Sequence, residues 1–209
     1  KKSAKKVNEC AFEDAHQPLN VLVFPWARAS FDNKYRRRKL LFDYFVSLGA
    51  STVNFVEYSN AQSIMENLAF SSLLYFTGGQ PSILVERLKK TGVYHLLENY
   101  KGIVVGRSAG ALALCRSFVA TCRSNSKVKI INGLGLVDIT LKVHYTPEKD
   151  EMLKRFSLNK PVFAVPENSA LIYDNGELSA MGEVYFFDKG EKKAFTKTVL
   201  RKEPADINL

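Results

Sequence analysis

The sequence predicts an α/β fold, a flavodoxin-like three-layer sandwich. Its mostly parallel central sheet carries helices on both faces and an antiparallel carboxyl-terminal extension. Three observations predict it. Short apolar runs alternate with helical segments four times between Asn20 and Leu114. Such alternation implies parallel strands joined by right-handed crossovers. The apolar runs are continuous rather than alternating, as in strands covered on both faces. The last third turns to short strands around Asp174-Asn175-Gly176, and Asn-Gly favours a tight hairpin turn.

The elements follow in order. Residues 1–18 begin with the basic run KKSAKK and read as a loose amino segment of one domain spanning 1–209. Asn20 to Phe24 (NVLVF) is a buried strand. Asp32 to Leu48 is a helix capped by Asp32 and ended by Gly49, with Tyr35, Leu41, Phe42, Phe45 and Leu48 at helical spacing. Thr52 to Val56 is a strand, Asn60 caps a helix through Phe70, and Ser72 to Phe76 is a third strand. Pro81 suits a first helical turn after Gly78-Gly79, with a helix to about Lys90 and a second piece over Thr91 to Tyr100. Gly102 to Val105 is a fourth strand, and Ala109 to Leu114 opens another helix. Ile139 to Val143 and Val162 to Val165 are strands flanking a helix near Pro147 to Phe156. Ala170 to Tyr173 and Leu178 to Ala180 form the hairpin, followed by strands at Val184 to Phe187 and Ala194 to Leu200.

Composition excludes several classes. The 209 residues are 46% hydrophobic and 24% charged, as in ordinary globular chains, so disorder and collagen are excluded. No stretch approaches the ~18 apolar residues of a membrane helix, and no apolar block follows the basic amino end, so no secretory signal is predicted. Cys10, Cys115 and Cys122 are odd in number and lack a CxxC pairing, which predicts a reducing cytoplasm rather than a disulfide or zinc scaffold. The net charge is +9, which helps anionic partners find the surface. The densest basic run, Arg36-Arg37-Arg38-Lys39, reads as a solvated helix face. With no nucleic-acid motif beside it, no nucleic-acid partner is expected. A homodimer is compatible with the sequence but not specified by it.

The sharpest signal is Gly106-Arg107-Ser108-Ala109-Gly110, a G-x-S-x-G between a strand and a helix. In such an elbow the serine sits on a strained turn, so its neighbours must be small. A serine nucleophile needs a base. Of the three histidines, His16 lies in the polar amino segment and His95 within a helix, whereas His144 directly follows strand ITLKV. His144 therefore emerges at the carboxyl edge, where open parallel sheets build their sites. For the orienting acid, Asp138, Glu148 and Glu167 compete. Glu167 leaves strand PVFAV at the same edge and is favoured; Asp138 begins its strand at the far end, and Glu148 lies in the next helix. The Ala109 amide and that of Gly79 are the oxyanion donors expected from position. The Gly78-Gly79 turn is not a phosphate loop, since G-x-x-x-x-G-K is absent.

The order Ser, His, acid differs from the Ser, acid, His order of α/β-hydrolases. YFTGGQ at 75–80, YKGIVVGRSAGALALC at 100–115 and GLGLVDITLKVHY at 133–145 together resemble the peptidase E and cyanophycinase family of serine peptidases. That family is related to class I glutamine amidotransferases, with serine in place of their cysteine. The resemblance runs from about Asn20 to Phe187. It implies hydrolysis of peptide bonds beside acidic residues in short Asp-containing peptides, by Ser108, His144 and Glu167, with no metal or organic cofactor. Gly78 and Gln80 are expected at the substrate, and Arg107, beside the serine, is either a bidentate donor to a substrate carboxylate or a structural or solvent-facing side chain. Peptidase E has an aspartate a short way beyond its serine; here that stretch reads Cys122-Arg123-Ser124-Asn125, which favours Glu167. The rival expectation is an amidotransferase-like scaffold without catalysis, binding a ligand or partner, with no histidine in reach of Ser108.

Overall fold

In the computed structural model of the chain, residues 3–28, 36–58, 61–121 and 128–200 are described. The proposed caps Asp32 and Asn60, together with Tyr35 and Cys122, lie outside them. The amino half runs α1 (Ser3–Asp14), β1 (Asn20–Phe24), α2 (Arg36–Ser47), β2 (Thr52–Phe55), α3 (Ala61–Phe70), β3 (Leu73–Phe76), α4 (Pro81–Lys90), α5 (Val93–Leu97), β4 (Ile103–Gly106) and α6 (Ala109–Leu114). The four strands form a wholly parallel sheet in the order β2-β1-β3-β4.

The twofold side-chain period of a strand divides this sheet into two buried faces. Leu22, Phe24, Leu74 and Phe76 point to one, packed by Ile64, Leu84, Leu88 and Ala113. Val21, Val23, Leu73 and Tyr75 point to the other, packed by Phe12 and Phe45. Both faces are covered over the central strands, which is why β1 is apolar from Val21 to Phe24 and β3 is buried along its length, whereas the edge strand β2 carries exposed Thr52 and Asn54.

Within the amino segment, Ser3–Asp14 forms the helix α1. Asn8, Ala11, Phe12 and Ala15 recur at i, i+3, i+4 and i+7, and this face of α1 docks on α2. Phe12 is buried and stacks on Phe45, and the Asn8 amide donates to the Tyr44 hydroxyl at 2.8 Å. In the basic run of α2, Arg38 pairs with Glu57 at 2.7 Å and lies over the Phe55 ring, while Lys39 pairs with Asp43.

The carboxyl half runs β5 (Cys115–Thr121), β6 (Val128–Asn132), β7 (Val137–Val143), a 3-10 turn (Pro147–Lys149), α7 (Asp150–Ser157), β8 (Val162–Val165), β9 (Ala170–Asp174), β10 (Glu177–Met181), β11 (Tyr185–Asp188), β12 (Glu191–Ala194) and β13 (Lys197–Val199). Six of these strands form a mixed sheet in the order β12-β11-β8-β7-β5-β6, in which β5-β7 and β7-β8 are parallel. A separate antiparallel sheet has the order β13-β10-β9.

Strands β5 and β6 were not expected. In β5 the apolar residues Cys115, Phe118 and Val119 are spaced as on a helix face, so periodicity alone does not expose the strand. The single strand expected over Ala194 to Leu200 divides into β12 and β13, which join different sheets. Among the described residues no helix is long and apolar enough to cross a membrane.

Candidate active site

Ser108 stands where β4 ends and α6 begins. Its backbone has φ 51° and ψ −104°, a sparsely populated conformation of the kind that collects at functional sites. Sterics hold it there. A Cβ on Gly106 would lie 2.5 Å from the Ala111 nitrogen, and one on Gly110 2.4 Å from the Phe76 carbonyl oxygen. Both glycines of G-x-S-x-G are therefore required by close approach of backbone. The Gly110 amide donates to the Arg107 carbonyl at 2.9 Å, and that of Leu112 to the Ser108 carbonyl at 3.0 Å. Ala109 is the first helical residue, so its amide has no acceptor within the helix.

Strand β7 delivers His144 and strand β8 delivers Glu167, both just past their carboxyl ends. Ser108 Oγ and His144 Nε2 are 2.7 Å apart. On the other side of the imidazole, Nδ1 is hydrogen-bonded to Glu167 Oε1. His144 has φ 53° and the residue after Glu167, Asn168, has φ 76°. The imidazole and carboxylate are open to solvent, with side chains 57% and 72% exposed. Lys149, which sequence reasoning did not single out, donates its ammonium to the His144 carbonyl.

The other acids are engaged elsewhere. Asp138, at the opposite end of β7, pairs with Arg116 at 2.5 Å. Hydrogen bonds from the Thr146 hydroxyl and from its own amide hold the Glu148 carboxyl below its ordinary range. His16 and His95 line an open cavity of about 480 Å³ with Ser72 and Gly102, which precede β3 and β4. That is the sheet edge away from Ser108.

The glycine turn after β3 reaches the serine. A Cβ on Gly78 would lie 3.5 Å from the Ser108 Cβ and 4.0 Å from its Oγ. Gly79 instead packs on the loop after β1, where a Cβ would meet the Ala27 carbonyl oxygen at 2.3 Å. The Gln80 amide donates to that same carbonyl at 2.6 Å, and the residue is exposed at the start of α4. Arg107 is exposed directly before Ser108, with its charge near the buried Tyr75 hydroxyl on the sheet face packed by α1 and α2. Burial pushes the Tyr75 hydroxyl pKa up, and Arg107 opposes the shift.

Cys115 is buried, and desolvation pushes its thiol pKa up to about 12, so it is no rival nucleophile. Among the described residues no group of three or more His, Cys, Asp or Glu is placed to hold a metal ion.

Comparison with known proteins bears on the family and the fold. The sequence model of peptidase family S51 matches residues 11–181. Among solved structures, the chain is similar to a Listeria monocytogenes EGD-e protein provisionally named peptidase E. The two are 22% identical, with a TM-score of 0.55 over 91% of this chain and 90% of the other. No curated protein sequence matches the chain.

Proposed function

The chain belongs to peptidase family S51, a family of serine peptidases, and on that premise we propose that Ser108, His144 and Glu167 are its catalytic triad. One observation carries the assignment: a serine oxygen 2.7 Å from an imidazole whose far nitrogen is bonded to a carboxylate. His144 takes the Ser108 proton and the alkoxide attacks the scissile carbonyl. The amides of Ala109 and Gly79 hold the oxyanion, and Gly78 leaves room beside the serine for the acyl group. His144 then protonates the leaving amine, and water hydrolyses the acyl-enzyme. Glu167 holds the imidazole in the tautomer that keeps Nε2 free to accept. A non-catalytic scaffold does not need this alignment.

The proposed substrates are short peptides cleaved beside aspartate. The sequence resemblance supports this, as does the chain's +9 charge, which favours the approach of anionic peptides. Lys149 adds a cation beside His144. Two measurements test the reading. A fluorophosphonate probe labels the wild type and leaves Ser108→Ala unlabelled; absent or equal labelling overturns the triad. In a panel of Asp-Xaa, Glu-Xaa and Leu-Xaa peptides the Asp peptides turn over fastest, and a preference for Leu-Xaa overturns the acidic specificity.

A further inference from the structure

The residue after the base is held more firmly than the base itself. Tyr145 is buried at 3% exposure, next to an imidazole open to solvent. Its hydroxyl donates to Asp150 Oδ1 at 2.5 Å and accepts from Lys192 Nζ at 2.6 Å. Lys192 also donates to Asp150 Oδ2 at 3.0 Å, closing a three-membered ring of hydrogen bonds. Three elements meet there: the end of β7, the first residue of α7, and β12 of the carboxyl-terminal extension. Lys192 lies 4.4 Å from the Tyr185 ring centroid and 5.2 Å from that of Tyr145.

The ring ties directly to the triad. The Tyr145 amide donates to the Val165 carbonyl at 3.1 Å, two residues before Glu167. One residue thus links the backbone beneath His144 to the backbone that leads to Glu167. Lys149, adjacent to Asp150, bonds the His144 carbonyl. His144 itself has a φ of 53°, a left-handed conformation that persists only where the surroundings over-determine it.

We propose that Tyr145, Asp150 and Lys192 form a clamp of positioning residues that fixes His144 against Ser108 and Glu167, so that the carboxyl-terminal extension is a working part of the site. This rests on the triad reading above. The charges agree with a closed ring. The Tyr145 hydrogen bond raises the Lys192 pKa, and although burial acts against it, the Asp150 carboxyl is held low by Tyr145 and Lys192. A misplacement of about 1 Å remote from the chemistry can cost roughly a hundredfold in rate.

The test uses Tyr145→Phe, Lys192→Met and the conservative Lys192→Arg in the full chain, each checked for an unchanged thermal midpoint. The chain has three histidines, so the His144 Cε1–H NMR resonance is assignable through His144→Gln. In Tyr145→Phe and Lys192→Met that resonance moves while those of His16 and His95 stay in place. The rate of fluorophosphonate labelling falls about 10- to 100-fold, and kcat falls with KM held within about twofold. Lys192→Arg restores most of the rate. A stationary His144 resonance with an undiminished labelling rate in folded Tyr145→Phe overturns the clamp. If the wild type is not labelled but the His144 resonance still moves in the variants, the serine-peptidase reading fails and the clamp stands. If Tyr145→Phe does not fold, Lys192→Met decides by the same readouts.

Discussion

Ser108 stands at the edge of a four-stranded parallel sheet buried on both faces, whereas His144 and Glu167 leave a six-stranded mixed sheet on exposed loops. The first sheet fixes the serine by exclusion of volume: Gly106 and Gly110 admit no Cβ because other backbone lies within 2.6 Å of where it would be. The second fixes its pair by hydrogen bonds between side chains, the imidazole to Glu167 and the following tyrosine to Asp150 and Lys192. Ser108 is set by shape and His144 by polar contacts. Substitutions in the two halves should therefore fail differently.

The largest contrast is in the second half. Glu167→Gln keeps the side chain's size but removes its charge and can set the wrong imidazole tautomer. A loss of about a thousandfold in kcat is expected, with a thermal midpoint close to wild type because the carboxylate is mostly exposed. Asp138→Asn breaks an ion pair with Arg116 at the far end of β7 and leaves kcat within about twofold. Steady-state kinetics on both variants check this. Equal losses would mean that Glu167 is not the orienting acid.

The next effect is on the fold itself. In Gly110→Ala the new methyl carbon would lie 2.4 Å from the Phe76 carbonyl oxygen and 2.8 Å from its Cβ. Phe76 is buried and stacked on Phe24, so it has no room to yield. Overpacking of this kind costs about 2–3 kcal/mol. Denaturant unfolding should show a lower midpoint at unchanged slope, with labelling of Ser108 falling alongside. A Gly110→Ala protein of wild-type stability would show that the elbow is not held by sterics.

The same division decides what the sequence revealed. Strands β1, β3 and β4 are read directly because burial on both faces leaves uninterrupted apolar runs. The elbow glycines announce themselves by spacing. His144 and Glu167 are legible as residues that closely follow apolar strands at the carboxyl edge. Strand β5 was hidden because its apolar residues also fit a helix, and its edge partner β6 with it. The Tyr145–Asp150–Lys192 ring was hidden more deeply, since Lys192 lies 42 residues beyond Asp150 and only tertiary pairing brings them together. The approach of Arg107 to Tyr75 crosses strands in the same way. Local pattern reports what a segment buries; it does not report which distant polar group completes it.

Lys142 gives the smallest expected effect and the clearest difference between the interiors of the two sheets. The buried strand positions of the first sheet's core are apolar, whereas β7 carries a buried lysine two residues before His144, donating to the Val119 carbonyl at 3.4 Å. Desolvation, with a smaller contribution from the Lys149 charge, lowers its pKa from 10.5 to about 8. Between those two values the unfolded chain binds a proton that the folded chain has lost, so this residue makes stability rise with pH across that window. Below pH 8 the amine is charged in both states and its burial cost is at its full value. Replacing it by an apolar residue of similar length removes that cost. Lys142→Met should raise the thermal midpoint by a few degrees at pH 7, and the gain should shrink by pH 10. Melting curves of both proteins at the two pH values check it. A gain of equal size at pH 10, or a lower midpoint at pH 7, would show that the ammonium is stabilised where it lies, and that the second sheet tolerates charge in its core at no cost.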